Sequence, residues 1–146
     1  MMDANQRHRL PGGIEKILVV DDEASIRKLI RRILESLGYT VVPVATPEAA
    51  IGFFASDPDY FDLVITDMST LEVRDGRLNS VISTMRPGIP TLLHTGVMPP
   101  AYANGVISGV LQKPASRLDF ACAVRSTMDA AKTPVPDTAL WMALPE

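Results

Sequence analysis

Short apolar runs alternate along the chain with longer segments in which apolar residues recur every three or four positions. The runs extend from Ile17 to Val20, Tyr39 to Val44, Leu63 to Asp67, Thr91 to His94 and Gly109 to Gln112. Their lengths are typical of strands, whereas the spacing in the intervening segments favours helices. Strands that alternate with helices predict an α/β fold, because right-handed crossovers between them produce a parallel sheet covered on both faces.

Individual residues predict where the helices begin and end. Thr46-Pro47 is typical of an N-cap followed by proline at the first helical position, and Gly38 suits the end of the first helix. Ser116, with Asp119 three residues later, resembles a capping box at the start of the last helix. Between Thr95 and Lys113, prolines and glycines leave room only for a short or irregular fourth helix.

The helical spacing also predicts which side chains face the core. In the first helix these are Ile26, Leu29, Ile30, Ile33, Leu34 and Leu37. The second helix contributes Ala50, Phe53 and Phe54, the third Leu78, Val81, Ile82 and Met85, and the last Leu118, Ala121, Cys122, Val124 and Met128. Arg125 interrupts the last of these faces and is expected to extend to water.

The length of 146 residues fits one domain with short tails. We expect a flexible tail at 1–13, a domain at 14–132 and a Pro-rich tail at 133–146. The net charge of -3 argues against a nucleic-acid binder, which usually has a basic surface. Because no apolar run approaches the roughly 20 residues that cross a bilayer, we expect a cytoplasmic protein without membrane contact. The single cysteine, Cys122, excludes an internal disulfide and is expected to be buried.

Side chains that can bind a metal or take part in a reaction lie at or just after the ends of four of the runs. Asp21-Asp22-Glu23 follows the first, Asp67 ends the third, Thr95 follows the fourth and Lys113-Pro114 follows the fifth. In an open parallel sheet these carboxyl ends lie beside the ligand-binding crevice. The acidic triplet alone would be explained by helix capping. A third acid on a separate strand favours an oxygen-rich magnesium site instead.

Lys113 and Thr95 each have two explanations when considered alone. The lysine could simply neutralise the acids, and the threonine could satisfy a local backbone group. Together with the acids they form a set suited to phosphoryl transfer, because a metal and an ammonium group stabilise phosphoryl oxygens while a hydroxyl donates a hydrogen bond. A carboxylate can act as the covalent nucleophile.

The chain resembles the receiver domain of two-component response regulators over about residues 15–131. The resemblance rests on Val19-Val20-Asp21-Asp22-Glu23, Leu63-Val64-Ile65-Thr66-Asp67-Met68, Thr95-Gly96 and Leu111-Gln112-Lys113-Pro114. It implies a doubly wound (βα)5 fold of the flavodoxin-like type, a three-layer sandwich with sheet order 2-1-3-4-5.

The resemblance also implies a function. Asp67 would accept a phosphoryl group from a histidine kinase or histidine phosphotransfer protein, and Mg²⁺ would be held by Asp21, Asp22, Asp67 and the backbone carbonyl of Ser69. Thr95 and Lys113 would bind the phosphoryl group. Phosphorylation would switch contacts with a downstream protein or a second copy of the chain, so the domain would catalyse its own modification without being a turnover enzyme.

Several positions depart from the family pattern. The proline and glycine usual four and eight residues after the acceptor are Leu71 and Asp75, with Gly76 one position late. The aromatic switch position holds Val110, and the phenylalanine usual after Lys-Pro is Ala115. An alternative interpretation is therefore a receiver-like interaction module that works without phosphate.

Two enzymatic alternatives have less support. An aspartyl phosphatase usually has a second acid where this chain has Ser69, and no P-loop motif occurs. Of the two histidines, His8 lies in the N-terminal tail. His94 should point away from Thr95 by strand alternation, and we expect it to be a structural, hydrogen-bonded residue.

Overall fold

The computed structural model describes residues 10–67, 77–96 and 107–132. Five parallel strands form one sheet in the order β2-β1-β3-β4-β5. The strands are β1 (Lys16–Val20), β2 (Thr40–Val44), β3 (Leu63–Thr66), β4 (Thr91–Thr95) and β5 (Gly109–Gln112). The helices in these ranges are α1 (Ala24–Ser36), α2 (Pro47–Ser56), α3 (Arg77–Met85) and α4 (Arg117–Lys132). The predicted parallel α/β fold and its strand order are confirmed.

The sheet separates two hydrophobic layers, because alternate residues of each strand face opposite sides. Ile17 and Val19 of β1 lie in one layer with side chains from α1 and α4, including Ile30, Leu34, Phe120, Val124 and Met128. Leu18 and Val20 lie in the other with side chains from α2 and α3, including Ala50, Phe54, Leu78 and Ile82. Full burial of one such large side chain contributes roughly 1.5–3 kcal/mol. The result is a three-layer sandwich.

The predicted helix ends are confirmed by hydrogen bonds and backbone angles. The Thr46 hydroxyl accepts a hydrogen bond from the Ala49 N–H at 3.1 Å. Gly38 has a φ of 104°, a left-handed angle that favours glycine. At the start of α4, the Asp119 N–H donates to the Ser116 hydroxyl at 3.0 Å, and the Ser116 N–H donates to the Asp119 carboxylate at 2.9 Å.

Several expectations about buried side chains were wrong. Leu118 is 53% exposed, Phe53 and Leu29 are each 46% exposed, and Cys122 is also exposed. In α4 the core contacts are made by Phe120, Ala121, Val124, Thr127 and Met128. Because Phe120 occupies the core position at the start of this stripe, Leu118 and Cys122 lie outside it. The apolar stripe is narrower than the spacing of apolar residues indicated.

Arg125 does not simply extend to water. Its guanidinium lies 2.6 Å from the Glu15 carboxylate and 2.8 Å from that of Asp129, and the Lys132 ammonium lies 3.0 Å from Glu15. The hydrogen bond from Arg125 is the largest influence on Glu15 and lowers its pKa from 4.5 to about 2. These contacts join the segment before β1 to the last helix.

The remaining predictions concern residues outside the described ranges. These are residues 1–9 and 133–146 of the two tails, and residues 97–106 of the short helix expected between Thr95 and Lys113. Residues 10–13 of the expected N-terminal tail are described and make contacts: the Gly13 N–H donates to the Leu37 carbonyl at 3.2 Å, and the Arg125 guanidinium donates to the Gly12 carbonyl at 3.1 Å. Within the described ranges, none of the helices combines the length and hydropathy that a bilayer crossing requires.

Candidate functional site

The pairing of β1 with β3 brings two predicted site residues together. Val20 lies opposite Thr66, so the next residue in each chain segment, Asp21 and Asp67, leaves the sheet at the same edge. One carboxylate oxygen from each of Asp21, Asp22 and Asp67 lies within 4.8 Å of the others. Asp21 and Asp67 are only 2% and 6% exposed, whereas Asp22 is open to solvent. We call these three residues the acidic cluster.

Asp21 is held by both backbone and side-chain contacts. Its carboxylate accepts a hydrogen bond from the Glu23 N–H at 2.8 Å, and its own N–H donates to the Val44 carbonyl at 3.1 Å. The Arg27 guanidinium donates to the Asp21 carbonyl at 2.8 Å. Arg27 is therefore part of the support of the site, a role that the sequence did not predict.

The electrostatics of the acidic cluster favour a cation. Burial is the main cause of a raised pKa at Asp21, and the negative charge of Asp67 adds to it. The hydrogen bond from Glu23 and the positive charge of Lys113 act in the opposite direction. Concentrated negative charge in a partly buried position is stabilised by a bound cation.

Three carboxylates suit magnesium, which prefers oxygen ligands and keeps several waters. The acidic cluster therefore fits the ion that the sequence predicts. The fourth predicted ligand, the Ser69 carbonyl, belongs to 68–76, which lies outside the described residues together with Leu71, Asp75 and Gly76.

Thr95 and Lys113 lie beside the acidic cluster at the ends of neighbouring strands. Thr66 of β3 lies opposite Leu93 of β4, and Thr95 of β4 lies opposite Gln112 of β5. The Lys113 N–H donates to the Thr95 carbonyl at 2.7 Å, and the peptide bond between Lys113 and Pro114 is cis. Thr95 is 2% exposed. The structure thus brings Asp21, Asp22, Asp67, Thr95 and Lys113 to one edge of the sheet.

His94 lies on the face of β4 opposite to that of Thr95, as strand alternation predicts. Its ring centroid lies 5.0 Å from that of Phe120 in α4. The expectation that His94 is hydrogen-bonded is wrong for one ring nitrogen. Its Nδ1 is buried and has no hydrogen-bond partner among the described residues. Burial, with help from the Lys113 charge and against that of Asp67, lowers the His94 pKa to about 4, so the ring is neutral near pH 7.

Two of the positions at which the sequence departs from the family pattern lie within the described residues. Val110 lies on β5, at the edge of the sheet, and is 46% exposed. Ala115 is partly buried against the hydrophobic layer that contains α1 and α4. A valine on an exposed edge cannot undergo the ring rotation that an aromatic residue would provide there.

Comparison with known families decides the assignment. The model of the response regulator receiver domain matches residues 17–125. The chain belongs to this family. The receiver match runs from the second residue of β1 through β5 into the middle of α4, and it contains every site residue discussed above.

Curated relatives of this receiver domain are longer proteins. The transcriptional regulatory protein GlrR of Escherichia coli is 34% identical over 106 residues, which cover 69% of this chain and 23% of GlrR. The probable transcriptional regulator ycf27 of Guillardia theta is 44% identical over 54 residues, covering 37% of this chain and 20% of ycf27. The chain thus spans about a fifth of the length of these relatives.

Solved receiver structures share the architecture. A response regulator receiver domain from Clostridium thermocellum superposes with a TM-score of 0.72 at 26% identity, covering 82% of this chain and 98% of that one. The chemotaxis protein CheY4 of Vibrio cholerae superposes with a TM-score of 0.69, covering 79% and 99%. At 24% identity, this second likeness concerns the fold alone.

Proposed function

We propose that this receiver domain accepts a phosphoryl group on Asp67 from a histidine kinase or histidine phosphotransfer protein. The observation that carries the proposal is the acidic cluster, in which Asp67 lies with Asp21 and Asp22 at the edge of the sheet that also holds Thr95 and Lys113. A buried carboxylate beside two further acids and a cation has little structural use, but it suits a phosphoryl acceptor.

The reaction is a transfer between two side chains. A carboxylate oxygen of Asp67 forms a bond to phosphorus while the bond from phosphorus to the donor imidazole nitrogen breaks. The electron pair of that bond stays on the imidazole, and the product on this chain is an acyl phosphate. Mg²⁺ held by Asp21, Asp22 and Asp67 would offset negative charge on the phosphoryl oxygens when bound.

Lys113 and Thr95 would stabilise the product. The Lys113 ammonium would form an ion pair with a phosphoryl oxygen, and the Thr95 hydroxyl would donate a hydrogen bond to another. The Lys113 N–H is bonded to the Thr95 carbonyl at 2.7 Å, so the backbones of the two residues lie side by side at the ends of β4 and β5. This connection supports a role for both in the response to phosphorylation.

Phosphorylation would serve signalling, and the domain would not turn over a separate substrate. The receiver would catalyse its own phosphorylation and the later hydrolysis of its acyl phosphate, and the modified state would change contacts with a downstream protein or a second copy of the chain. We place this chemistry in the cytoplasm, where histidine kinases present their phosphorylated domains.

Intact-protein mass spectrometry tests the acceptor. With acetyl phosphate and Mg²⁺, the native protein should gain the mass of one phosphoryl group, and Asp67→Asn should gain none. Asp62→Asn is the matched control and should gain the same mass as the native protein. Asp62 immediately precedes β3, at the end of the strand opposite to Asp67, and its carboxylate accepts a hydrogen bond from the Lys16 N–H at 2.9 Å. A gain that persists in Asp67→Asn would identify another acceptor, and no gain in the native protein would reject the proposal.

The metal is tested by urea unfolding with and without Mg²⁺. Binding to the folded state should stabilise the native protein by an amount that grows with Mg²⁺ concentration. Asp21→Asn should lose most of this increment, while its amide oxygen can still accept the hydrogen bond from Glu23. Equal stabilisation of both proteins would remove Asp21 from the ligand set.

An interaction module independent of phosphate is the second candidate, and the exposure of Val110 favours it. With valine in the switch position, 46% exposed on the edge strand, an aromatic rotation cannot report the state of Asp67. This candidate predicts no mass gain and no binding of beryllofluoride, a phosphoryl mimic. The two candidates therefore differ in the same experiment.

A further inference from the structure

Arg27 lies at the end of the first turn of α1 and reaches back to the turn that carries two residues of the acidic cluster. It is partly buried, and its guanidinium donates a hydrogen bond to the Asp21 carbonyl at 2.8 Å. That carbonyl belongs to the peptide that joins Asp21 to Asp22. Arg27 therefore holds the backbone unit between two carboxylates, and its bond goes to a carbonyl rather than to a carboxylate oxygen.

Three successive peptides of this turn are each held by a hydrogen bond. In the first, the Asp21 N–H donates to the Val44 carbonyl at 3.1 Å. In the third, the Glu23 N–H donates to the Asp21 carboxylate at 2.8 Å. The middle peptide, between Asp21 and Asp22, is held through its carbonyl by Arg27. A side chain of α1 thus supplies the contact that fixes the peptide between the two acids.

The start of α1 adds little further support to this turn. Its N-cap, Glu23, makes no side-chain capping hydrogen bond within the described ranges, and the first turn of the helix contains no acidic residue. Without such a cap, the N–H groups at a helix start lack a side-chain acceptor that would tie them to the preceding turn. The bond from Arg27 therefore takes a larger share in fixing the connection between β1 and α1.

The orientation of the middle peptide affects two metal ligands at once. A peptide unit is planar, so its rotation changes ψ of Asp21 and φ of Asp22 together. Such a rotation would alter the spacing of the carboxylate oxygens of the acidic cluster, which lie within 4.8 Å of one another. Mg²⁺ tolerates altered spacing poorly, because it requires near-ideal octahedral geometry.

We propose that Arg27 is a positioning residue for Mg²⁺, which raises the affinity of the acidic cluster by holding the peptide between Asp21 and Asp22. This inference rests on the proposed function, in which Mg²⁺ assists the transfer to Asp67. The charge of Arg27 acts in the opposite direction, because a guanidinium repels a nearby cation. Loss of the charge alone would strengthen Mg²⁺ binding, whereas loss of the positioning bond weakens it.

Titration of the full chain with Mg²⁺ alone, without a phosphodonor, tests the proposal. NMR shifts at Asp21, Asp22 and Asp67 are followed at constant ionic strength and give a dissociation constant for each protein. Arg27→Met keeps an unbranched side chain but has neither charge nor donor, and it should bind Mg²⁺ about tenfold more weakly. Arg27→Lys keeps a charged donor and should recover most of the affinity.

Lys28→Met is the matched control, because Lys28 is the neighbouring exposed residue of α1 and the same charge is removed. Its affinity for Mg²⁺ should equal or slightly exceed that of the native protein. Urea unfolding of the metal-free proteins measures the effect of each substitution on stability. A merely structural role would change that stability without changing the dissociation constant of the folded protein.

Each outcome either supports the positioning role or overturns it. Binding in Arg27→Met as tight as in the native protein, or tighter, overturns the role even if the variant is less stable. Equal weakening in Lys28→Met, or no recovery in Arg27→Lys, removes the hydrogen bond as the cause. Arg27→Gln, whose amide ends two bonds short of the guanidinium nitrogens, serves the same test if Arg27→Met does not fold.

Failure of the proposed function gives a different result. If the native protein shows no saturable shifts with Mg²⁺, the metal site itself is rejected, and the role of Arg27 with it. If the native protein binds Mg²⁺ and Arg27→Met binds it equally well, the acidic cluster remains the metal site and only the positioning role is lost.

Discussion

Asp21 is the residue of the candidate site whose position is fixed by the largest number of described hydrogen bonds. Its backbone and side chain take part in hydrogen bonds to Val44, Glu23 and Arg27, so the carboxylate is fixed before any ligand arrives. Its pKa is raised by burial and by the neighbouring acid Asp67. The receiver thus holds negative charge in a position where a cation or Lys113 can act on it.

Lys113 is the residue whose removal should separate phosphorylation from response. In Lys113→Ala, Asp67 and the other acids remain, so the mass gain with acetyl phosphate should persist. The ion pair to the phosphoryl group would be absent, and the NMR shifts that beryllofluoride induces along β4 and α4 should be largely lost. Shifts equal to those of the native protein would contradict this prediction.

Lys28→Ala is the control for Lys113→Ala. Lys28 is an exposed lysine of α1, so its replacement changes the net charge by the same amount without touching the acidic cluster. Both phosphorylation and the beryllofluoride shifts should be unchanged. A loss of shifts in both variants would indicate a general effect of charge rather than contact with the phosphoryl group.

The position of Lys113 depends on the elements on either side of it. It follows β5, and the reciprocal hydrogen bonds between Ser116 and Asp119 begin α4 shortly afterwards. These bonds also lower the pKa of the Asp119 carboxyl. The capping box therefore determines where the strand-to-helix turn ends, and with it the length of the segment that holds Lys113, Pro114 and Ala115.

Ser116→Ala should destabilise the protein by about 1 kcal/mol, the usual effect of losing an N-cap hydroxyl. The Asp119 N–H would lose its acceptor, and the first turn of α4 would fray. Urea unfolding monitored by circular dichroism measures the change. Ser126→Ala, an exposed position inside the same helix, should be neutral or slightly stabilising because alanine is the better helix former there. Equal effects of the two substitutions would remove the capping box from the explanation.

At the scale of the whole molecule, local sequence signals predicted the layout well and the packing less well. Thr46, Gly38 and Ser116 act through neighbours in the chain, so their roles could be predicted without the fold. The exposure of Leu118 depends on how α4 rotates against the sheet, and helical spacing alone does not determine that rotation. The unbonded Nδ1 of His94 likewise depends on side chains from other elements.

The same distinction applies to the candidate site. Asp21, Asp67, Thr95 and Lys113 could be placed together from sequence because parallel strands end at one edge. The role of Arg27 could not be predicted, since its bond to the Asp21 carbonyl spans six residues and needs the turn between β1 and α1. The contacts of Glu15 with Arg125 and Lys132 join residues 110 and 117 positions apart, a separation that no local pattern reveals.

Those long-range contacts should make stability depend on pH through Glu15. Its pKa is lowered from 4.5 to about 2, first by the hydrogen bond from Arg125. The carboxylate therefore stabilises the folded state above pH 4.5, and this contribution is lost as the pH falls from 4.5 towards 2. Glu15→Gln should reduce the free energy of unfolding at pH 7 by about 1 kcal/mol, a value that allows for solvent screening of the pair.

Urea midpoints measured between pH 7 and pH 2 test the linkage, and the gap between the native protein and Glu15→Gln should close on the acid side. Glu35→Gln is the matched control, because Glu35 pairs with Arg31 at 3.1 Å within α1, with both side chains about half exposed. An exposed pair of this kind contributes little, so its loss should leave the midpoints nearly unchanged. A gap that stayed constant with pH would mean that Glu15 acts through packing rather than through its charge.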